Sequence, residues 1–345
     1  MTVAGQWYVA CLSAELGRRP LARNVGGVPI VVFRDRRGDP AALVDRCPHR
    51  NAPLSVGRVT SGGTLQCGYH GWRFDGSGRC VEVPGLCEPA GTTEGSGLRG
   101  RDVAAHASAE LDGFVWVAAE PGSRPGDDPF RFPLVGEAGH TTIRRSLEVE
   151  AGLVAALENT LDVPHTAFLH RGLFRGSLPP VEVDVVVRHG ADRVEAEFVG
   201  EPVPGGLLGR ILAPGGGVVF HVDRFVMPSI AQVEYGLGAH RLVVTTAFTP
   251  VTPRLTRLHA AVTFSLRLPP QLVTMVAAPL AGRVFAQDAA ILRHQARNIE
   301  RFGGERFAST EIDVLGRHIV ALLGRAERGE PAPPVPAEQR LRMRV

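Results

Sequence analysis

Two short segments constrain this chain more than any others: Cys47-Pro48-His49 and Cys67-Gly68-Tyr69-His70. They read C-x-H, then after seventeen residues C-x-x-H. Each segment supplies one thiol and one imidazole. Two cysteines on one iron and two histidines on the other is the ligand set of a [2Fe–2S] cluster whose neutral imidazoles raise its reduction potential. A structural zinc site is the competing reading. Zinc fingers of the Cys2His2 type, however, group their ligands by kind, with the cysteines first and the histidines after. The mixed segments therefore point to electron transfer, and they require a fold that brings two loop tips together.

The flanking sequence supplies such a fold. Val28–Arg34 is β-branched and bounded by Gly27 and an Arg37-Gly38-Asp39 turn. Ala41–Asp45 leads into the first ligand segment and Thr64–Gln66 into the second. Trp72–Phe74 leaves toward an Asp75-Gly76 hairpin turn, and Phe114–Ala118 closes the set. Residues 1–120 thus read as an all-β module with its ligands at loop tips, with Glu88–Gly100 as a loop. Residues 121–133, dense in Pro, Gly and Asp, read as a linker. Residues 134–327 read as a second domain. Ser146–Leu161 is apolar at helical spacing. Strands are expected at 181–188, 193–199, 218–227, 229–235, 241–249 and 257–267, forming one large antiparallel sheet. Helices are expected over 271–301 and 310–325, and the Pro-rich end, 328–345, is expected to be a flexible tail. The fold class is α+β.

The second domain carries a further set of polar residues: Asn159, Asp162, His165 and His170, in ENTLDVPHTAFLH. Histidines five apart on a straight helix diverge by roughly 140°. Pro164 should break the helix and let both imidazoles turn to one point. Two histidines and one carboxylate suit mononuclear non-haem iron(II), with coordination positions left open. Asp288 lies on the apolar stripe of the 271–301 helix, where a carboxylate is costly unless it is paired or bound to a cation. A metal and a buried ion pair, for instance with Arg293, both satisfy that requirement.

The segments CPHR and CGYHGWRFDGSGRC, together with ENTLDVPHTAFLH and FAQDAAILRHQ, resemble the catalytic α component of Rieske non-haem iron oxygenases, in the monooxygenase and demethylase branch. The paired extra cysteines of respiratory Rieske proteins are absent from the ligand loops. The resemblance implies a Rieske [2Fe–2S] domain held through Cys47, His49, Cys67 and His70. It implies a helix-grip-like catalytic domain with mononuclear Fe(II) on His165, His170 and Asp288. Asp162 then bridges a catalytic histidine to a cluster histidine of a neighbouring subunit in a homotrimer, and Asn159 is a polar residue near the iron. The implied reaction uses O2 and electrons from an external NAD(P)H-dependent reductase or ferredoxin. It hydroxylates or oxidatively demethylates a small hydrophobic substrate, aromatic or alicyclic. A Rieske electron-transfer protein without oxygenase activity is the alternative, but it leaves the second ligand set unused.

Bulk properties narrow the partners. At 345 residues with 44% hydrophobic content the chain has room for two cores. A net charge of +3 makes no case for nucleic acid. Every one of the 38 basic residues is arginine. No uninterrupted apolar run approaches the roughly 20 residues that span a membrane, and no signal peptide is expected. Cys11, Cys80 and Cys87 form no evident disulfide framework, which leads to the expectation of a cytoplasmic protein. The remaining histidines, at 106, 140, 189, 221, 240, 259, 294 and 318, have no ligand spacing and read as structural or exposed. Arg171 and Arg175 read as solvated or salt-bridged.

Overall fold

The computed structural model describes residues 2–86, 100–171, 173, 181–203, 217–238, 240–265, 270–330 and 338–344. They divide into two units, Thr2–Arg131 and Phe132–Val345, parting inside the Pro- and Gly-rich segment 121–133.

In the first unit the apolar run Val28–Arg34 is a strand buried on both faces. Ile30 and Val32 pack with Tyr8, Val115 and Val117, while Val31 and Phe33 pack with Leu43, Leu54, Leu65 and Phe74. A strand between two cores shows continuous rather than alternating hydrophobicity. It pairs antiparallel with Leu21–Val25 and Pro40–Val44, in a sheet completed by Ala105–His106. Trp7–Leu12, Phe114–Ala118 and Ser108–Leu111 form a second sheet. A third, of Arg58–Val59, Leu65–Gln66, Arg73–Phe74 and Cys80–Glu82, carries the second ligand loop between its central strands. Cys11 and Cys80 are buried and unbridged. Cys87 and residues 88–99 of the expected loop lie outside the described residues.

The second unit is built on one eight-stranded antiparallel sheet. Six consecutive strands meander: Glu182–His189, Arg193–Val199, Phe220–Val226, Ile230–Leu237, His240–Thr252 and Leu255–Phe264. Thr141–Val149 is added beside the last of these and Gln339–Arg344 beside the first. Pleat alternation sends Val233, Tyr235, Leu242, Val244, Val262 and Phe264 to one face. On that face lies the long helix Pro270–Arg301, with Val273, Ala277, Ala281 and Phe285 packed against Ile143, Leu242, Val262 and Phe264. The helix Leu153–Leu161 also packs against this sheet, and Gly316–Glu327 packs against that helix. By length and mean hydropathy, 1.2 over its most apolar stretch, the segment Gln271–Arg301 is long and apolar enough to cross a membrane. Among the described residues of this helix only Val273 and Leu292 are buried, and Ala277, Ala281 and Phe285 are half-buried against the sheet.

Three expectations are corrected. Residues 310–315 are not helical, the helix there being Gly316–Glu327. Residues 146–149 are not helical: they end the strand Thr141–Val149, and the helix begins at Leu153 after Gly152. The apolar positions Leu147, Val149, Leu153 and Leu157 suit either period, and pairing with Leu255–Phe264 decides for strand. The end of the chain is not wholly a flexible tail. Residues 339–344 form an edge strand with Met343 buried, tied by Arg342–Asp184 (3.0 Å) and Arg344–Glu182 (3.2 Å). The Pro-rich stretch before it masked the arginine–hydrophobe alternation that follows. Truncation of the buried side chain, Met343→Ala, is expected to cost about 2–3 kcal/mol in denaturant unfolding. Arg344→Ala at the exposed position should stay within about 0.5 kcal/mol.

Candidate metal centres

The two Cys–His loops are near copies of each other. In both, the cysteine carbonyl accepts from the N–H four residues on, Asn51 (2.9 Å) and Gly71 (3.1 Å). The cysteine N–H donates to the carbonyl five residues on, Ala52 (2.9 Å) and Trp72 (2.8 Å). Asn51 and Gly71 both take positive φ, 60° and 76°. Gly71 does so without strain, and Asn51 is held by a hydrogen bond from Arg46 Nε to its Oδ1 at 2.8 Å.

These loops bring all four expected residues together in pairs. The Cys47 and Cys67 thiols are buried and in hydrogen-bond contact, and burial with the neighbouring thiol pushes the Cys47 pKa up. The backbone N–H groups of His49 and Arg50 aim at the Cys47 sulfur and act in the opposite direction. The His49 and His70 rings meet edge-on, 4.5 Å between centroids, and His49 stacks on Trp72 at 4.8 Å. His49 Nδ1 is buried without a hydrogen-bond partner among the described residues. Thiols grouped with thiols, imidazoles grouped with imidazoles and an orphaned ring nitrogen fit a dinuclear cluster with different ligands on its two irons.

The second centre depends on a broken helix. Leu153–Leu161 stops at Asp162, whose backbone is extended (φ −92°, ψ 104°), and Pro164 starts the short helix His165–Leu169. His170 leaves that helix at φ −102°, ψ 36°. The two imidazoles therefore converge despite their spacing, with 3.2 Å between their Nε2 atoms. Asp288 Oδ1 lies 3.1 Å from His170 Nε2 and 3.6 Å from His165 Nε2. The three ligand atoms sit within 4.8 Å of one another. Arg293, the alternative partner for Asp288, pairs with Glu150 instead (3.0 Å).

Proton positions follow from the outer hydrogen bonds. His165 Nδ1–H donates to the Asp162 carbonyl, and His170 Nδ1–H donates to Gln287 Oε1 at 2.9 Å. A neutral imidazole protonated at Nδ1 presents a lone pair at Nε2. Two such lone pairs then face Asp288 Oδ1, a buried oxygen with no hydrogen-bond donor among the described residues. Three inward lone pairs fit a divalent cation, and outer partners that fix the tautomer are typical of metal-ligating histidine.

Asp162 sits at the rim, its Oδ2 3.7 Å from His165 Nδ1; burial pushes its pKa up, with His165 opposing and Asp313 adding. Asn159 lines the same cavity. That cavity, about 150 Å³, reaches from the triad along the helix side chains Ala277, Leu280, Ala281 and Val284 to the sheet. Arg171 is exposed, and Arg175 lies outside the described residues.

His221, read from sequence as structural or exposed, is fully buried between two carboxylates. Its Nδ1 donates to Glu201 Oε2 at 2.5 Å and its Nε2 to Asp223 Oδ1 at 3.0 Å. Phe198 and Tyr235 stack on its two faces at 4.5 and 4.1 Å. Burial opposes its charge, but Asp223 and Glu201 together raise its pKa to about 9. Glu201 and Gln287 carry no sequence signal of these roles. Gln287 merely precedes Asp288, and Glu201 is twenty residues from His221.

Residues 6–92 match the Rieske [2Fe-2S] domain, and residues 149–328 match the vanillate O-demethylase oxygenase C-terminal domain. Among curated relatives, chlorophyllide a oxygenase of Chlamydomonas reinhardtii is 38% identical over 177 residues, 50% of this chain and 25% of that one. The oxygenase component of dicamba O-demethylase from Stenotrophomonas maltophilia is 32% identical over 217 residues, 61% of this chain and 59% of that one. The chain thus spans between a quarter and about three fifths of these relatives. Crystalline dicamba monooxygenase bound to 3,6-dichlorosalicylic acid shares the fold, with TM-score 0.78 and 23% identity over 95% of this chain and 98% of the other. The chain belongs to the Rieske non-haem iron oxygenases, in the branch whose catalytic domain is that of vanillate O-demethylase.

His165→Ala is expected to strip the mononuclear iron while leaving the visible absorbance of the cluster intact, and Cys47→Ser to do the reverse; iron assay and spectra on both variants check this. A second expectation concerns pH. The folded pKa of His221 lies above its unfolded value of about 6.5. Its stabilisation is therefore complete below that value and is lost as pH rises through about 9. Unfolding free energy measured across this window should fall more steeply in the native protein than in His221→Gln.

Proposed function

We propose that this chain is the terminal oxygenase component of a multicomponent system that hydroxylates or oxidatively O-demethylates a small, largely apolar aromatic substrate. The observation that carries the reading is the convergence of His165 Nε2, His170 Nε2 and Asp288 Oδ1 at the end of an apolar cavity. When bound, iron(II) in that triad would supply O2 activation, and the [2Fe–2S] group on Cys47, His49, Cys67 and His70 would supply electrons one at a time.

The chain's own residues have separate tasks. His165, His170 and Asp288 would hold the metal, and the cavity beside them would receive the substrate. Gln287 and the Asp162 carbonyl orient the two imidazoles. Val233, Leu242, Val262, Phe264 and Phe285 exclude water and bind an apolar ring. Asp162, next to His165 and partly exposed, is the residue we assign to the contact with a neighbouring subunit, with the assembly a homotrimer. Asn159 is assigned to the iron's surroundings. The electron source is an NAD(P)H-dependent reductase or a ferredoxin, and the compartment is the cytoplasm. The match of residues 149–328 to an oxygenase domain weighs against a pure electron carrier.

O2 uptake driven by NADH and a surrogate reductase should rise with methoxyarene substrates, with formaldehyde or a hydroxylated product appearing in step. Reduction of the cluster without O2 consumption for any substrate would favour the carrier. Asp162→Asn should lower turnover by roughly 10–100-fold while both metal centres stay loaded.

A further inference from the structure

Besides Asp162, the cavity beside the triad holds one further carboxylate outside the metal-ligand triad. Asp223, on the strand Phe220–Val226, lines it opposite Val233 in the sheet register. Its Oδ1 accepts from His221 Nε2, and its other oxygen makes no hydrogen bond among the described residues. The side chain has little freedom to turn. His221 is clamped by Glu201 at 2.5 Å and stacked between Phe198 and Tyr235, so the imidazole aims the carboxylate as a fixed strut. Maintaining three ionisable groups in a dry core is costly unless each is paired. A fully apolar packing of this corner would serve stability at least as well, which argues for a role in recognition.

The rest of the lining tells what such a carboxylate can recognise. Among the described lining residues there is no arginine, and the chain has no lysine. The hydroxyls of Thr160 and Thr166 donate to the backbone carbonyls of Ala156 and Val163. Among the described lining residues, a carboxylate or sulfonate on a ligand would therefore meet Asp223 and Asp162 with no guanidinium to balance it. A hydroxyl or ammonium group would meet a preoriented acceptor.

We propose that Asp223 is the specificity-determining residue of this cavity, accepting a hydrogen bond from a hydroxyl or ammonium group of the substrate, so that alcohols and amines are taken in preference to carboxylates and sulfonates. His221 and Glu201 are positioning residues that act through it. This inference rests on the oxygenase reading above and names its substrate class.

The test is calorimetric titration of the enzyme loaded with cluster and iron, using para-methoxybenzylamine, para-methoxybenzyl alcohol and para-methoxybenzoate as probes. The amine and the alcohol are expected to bind about ten-fold or more tightly than the benzoate. Asp223→Asn keeps an oxygen for His221 and turns an N–H2 into the cavity, and it is expected to reverse that order. Benzoate binding as tight as the amine, no measurable binding of amine and alcohol, or an unchanged order in the variant each overturns the proposal. The ranking in the unsubstituted enzyme stands as a test by itself if the variant does not fold. His221→Gln should shrink the amine's margin while leaving para-methoxytoluene affinity unchanged; equal weakening of both overturns the positioning role. Iron content and O2 uptake, which judge the oxygenase reading, are not read by the titration, so the two fail separately.

Discussion

Three lone pairs aimed at one point repel one another, and the catalytic domain is arranged to hold them there. His165 and His170 each spend their Nδ1 proton outward, on the Asp162 carbonyl and on Gln287, which leaves no proton to fill the space between Nε2 and Asp288 Oδ1. A carboxylate on the apolar stripe of a helix is costly by itself. A bound cation would offset that cost, and the break at Asp162–Pro164 is what brings His165 and His170, from one short segment, to the same point.

The first unit solves a related problem by duplication. Two loops with the same hydrogen-bond scheme present Cys47 with Cys67 and His49 with His70. The loops differ by one residue in the Cys–His spacing, yet the thiols end up buried in the core while the histidines reach the rim. A core-side pair and a rim-side pair suit a cluster with two chemically distinct irons.

The candidate ligand sets stood out in the sequence because a metal would impose local spacing and a helix imposes a stripe. Cys47, His49, Cys67, His70, His165 and His170 lie in short segments, and Asp288 stood out as a charge where the 3.6 period called for a hydrophobe. The strands of the large sheet were legible within a few residues because alternation is also local. Gln287 and Glu201 were not legible, since each matters through a partner brought near by the fold, in Gln287's case 117 residues away. The structural reading of His221 holds, but its pairing with Glu201 was hidden for the same reason. Residues 146–149 and 339–344 were misassigned because their pairing partners, not their own periodicity, decide their state.

The closing strand Gln339–Arg344 has a bearing on solution behaviour. Its outer backbone edge is the kind of surface on which another chain can add a strand. Arg340, Arg342 and Arg344 fall on one face and are exposed, while Leu341 and Met343 turn inward. An incoming strand would have to pack beside exposed ion pairs, Arg340–Glu338, Arg342–Asp184 and Arg344–Glu182, and charged side chains on an edge disfavour strand addition. The last residues of the chain thus act as a gatekeeper for a sheet whose work is done at its other surfaces.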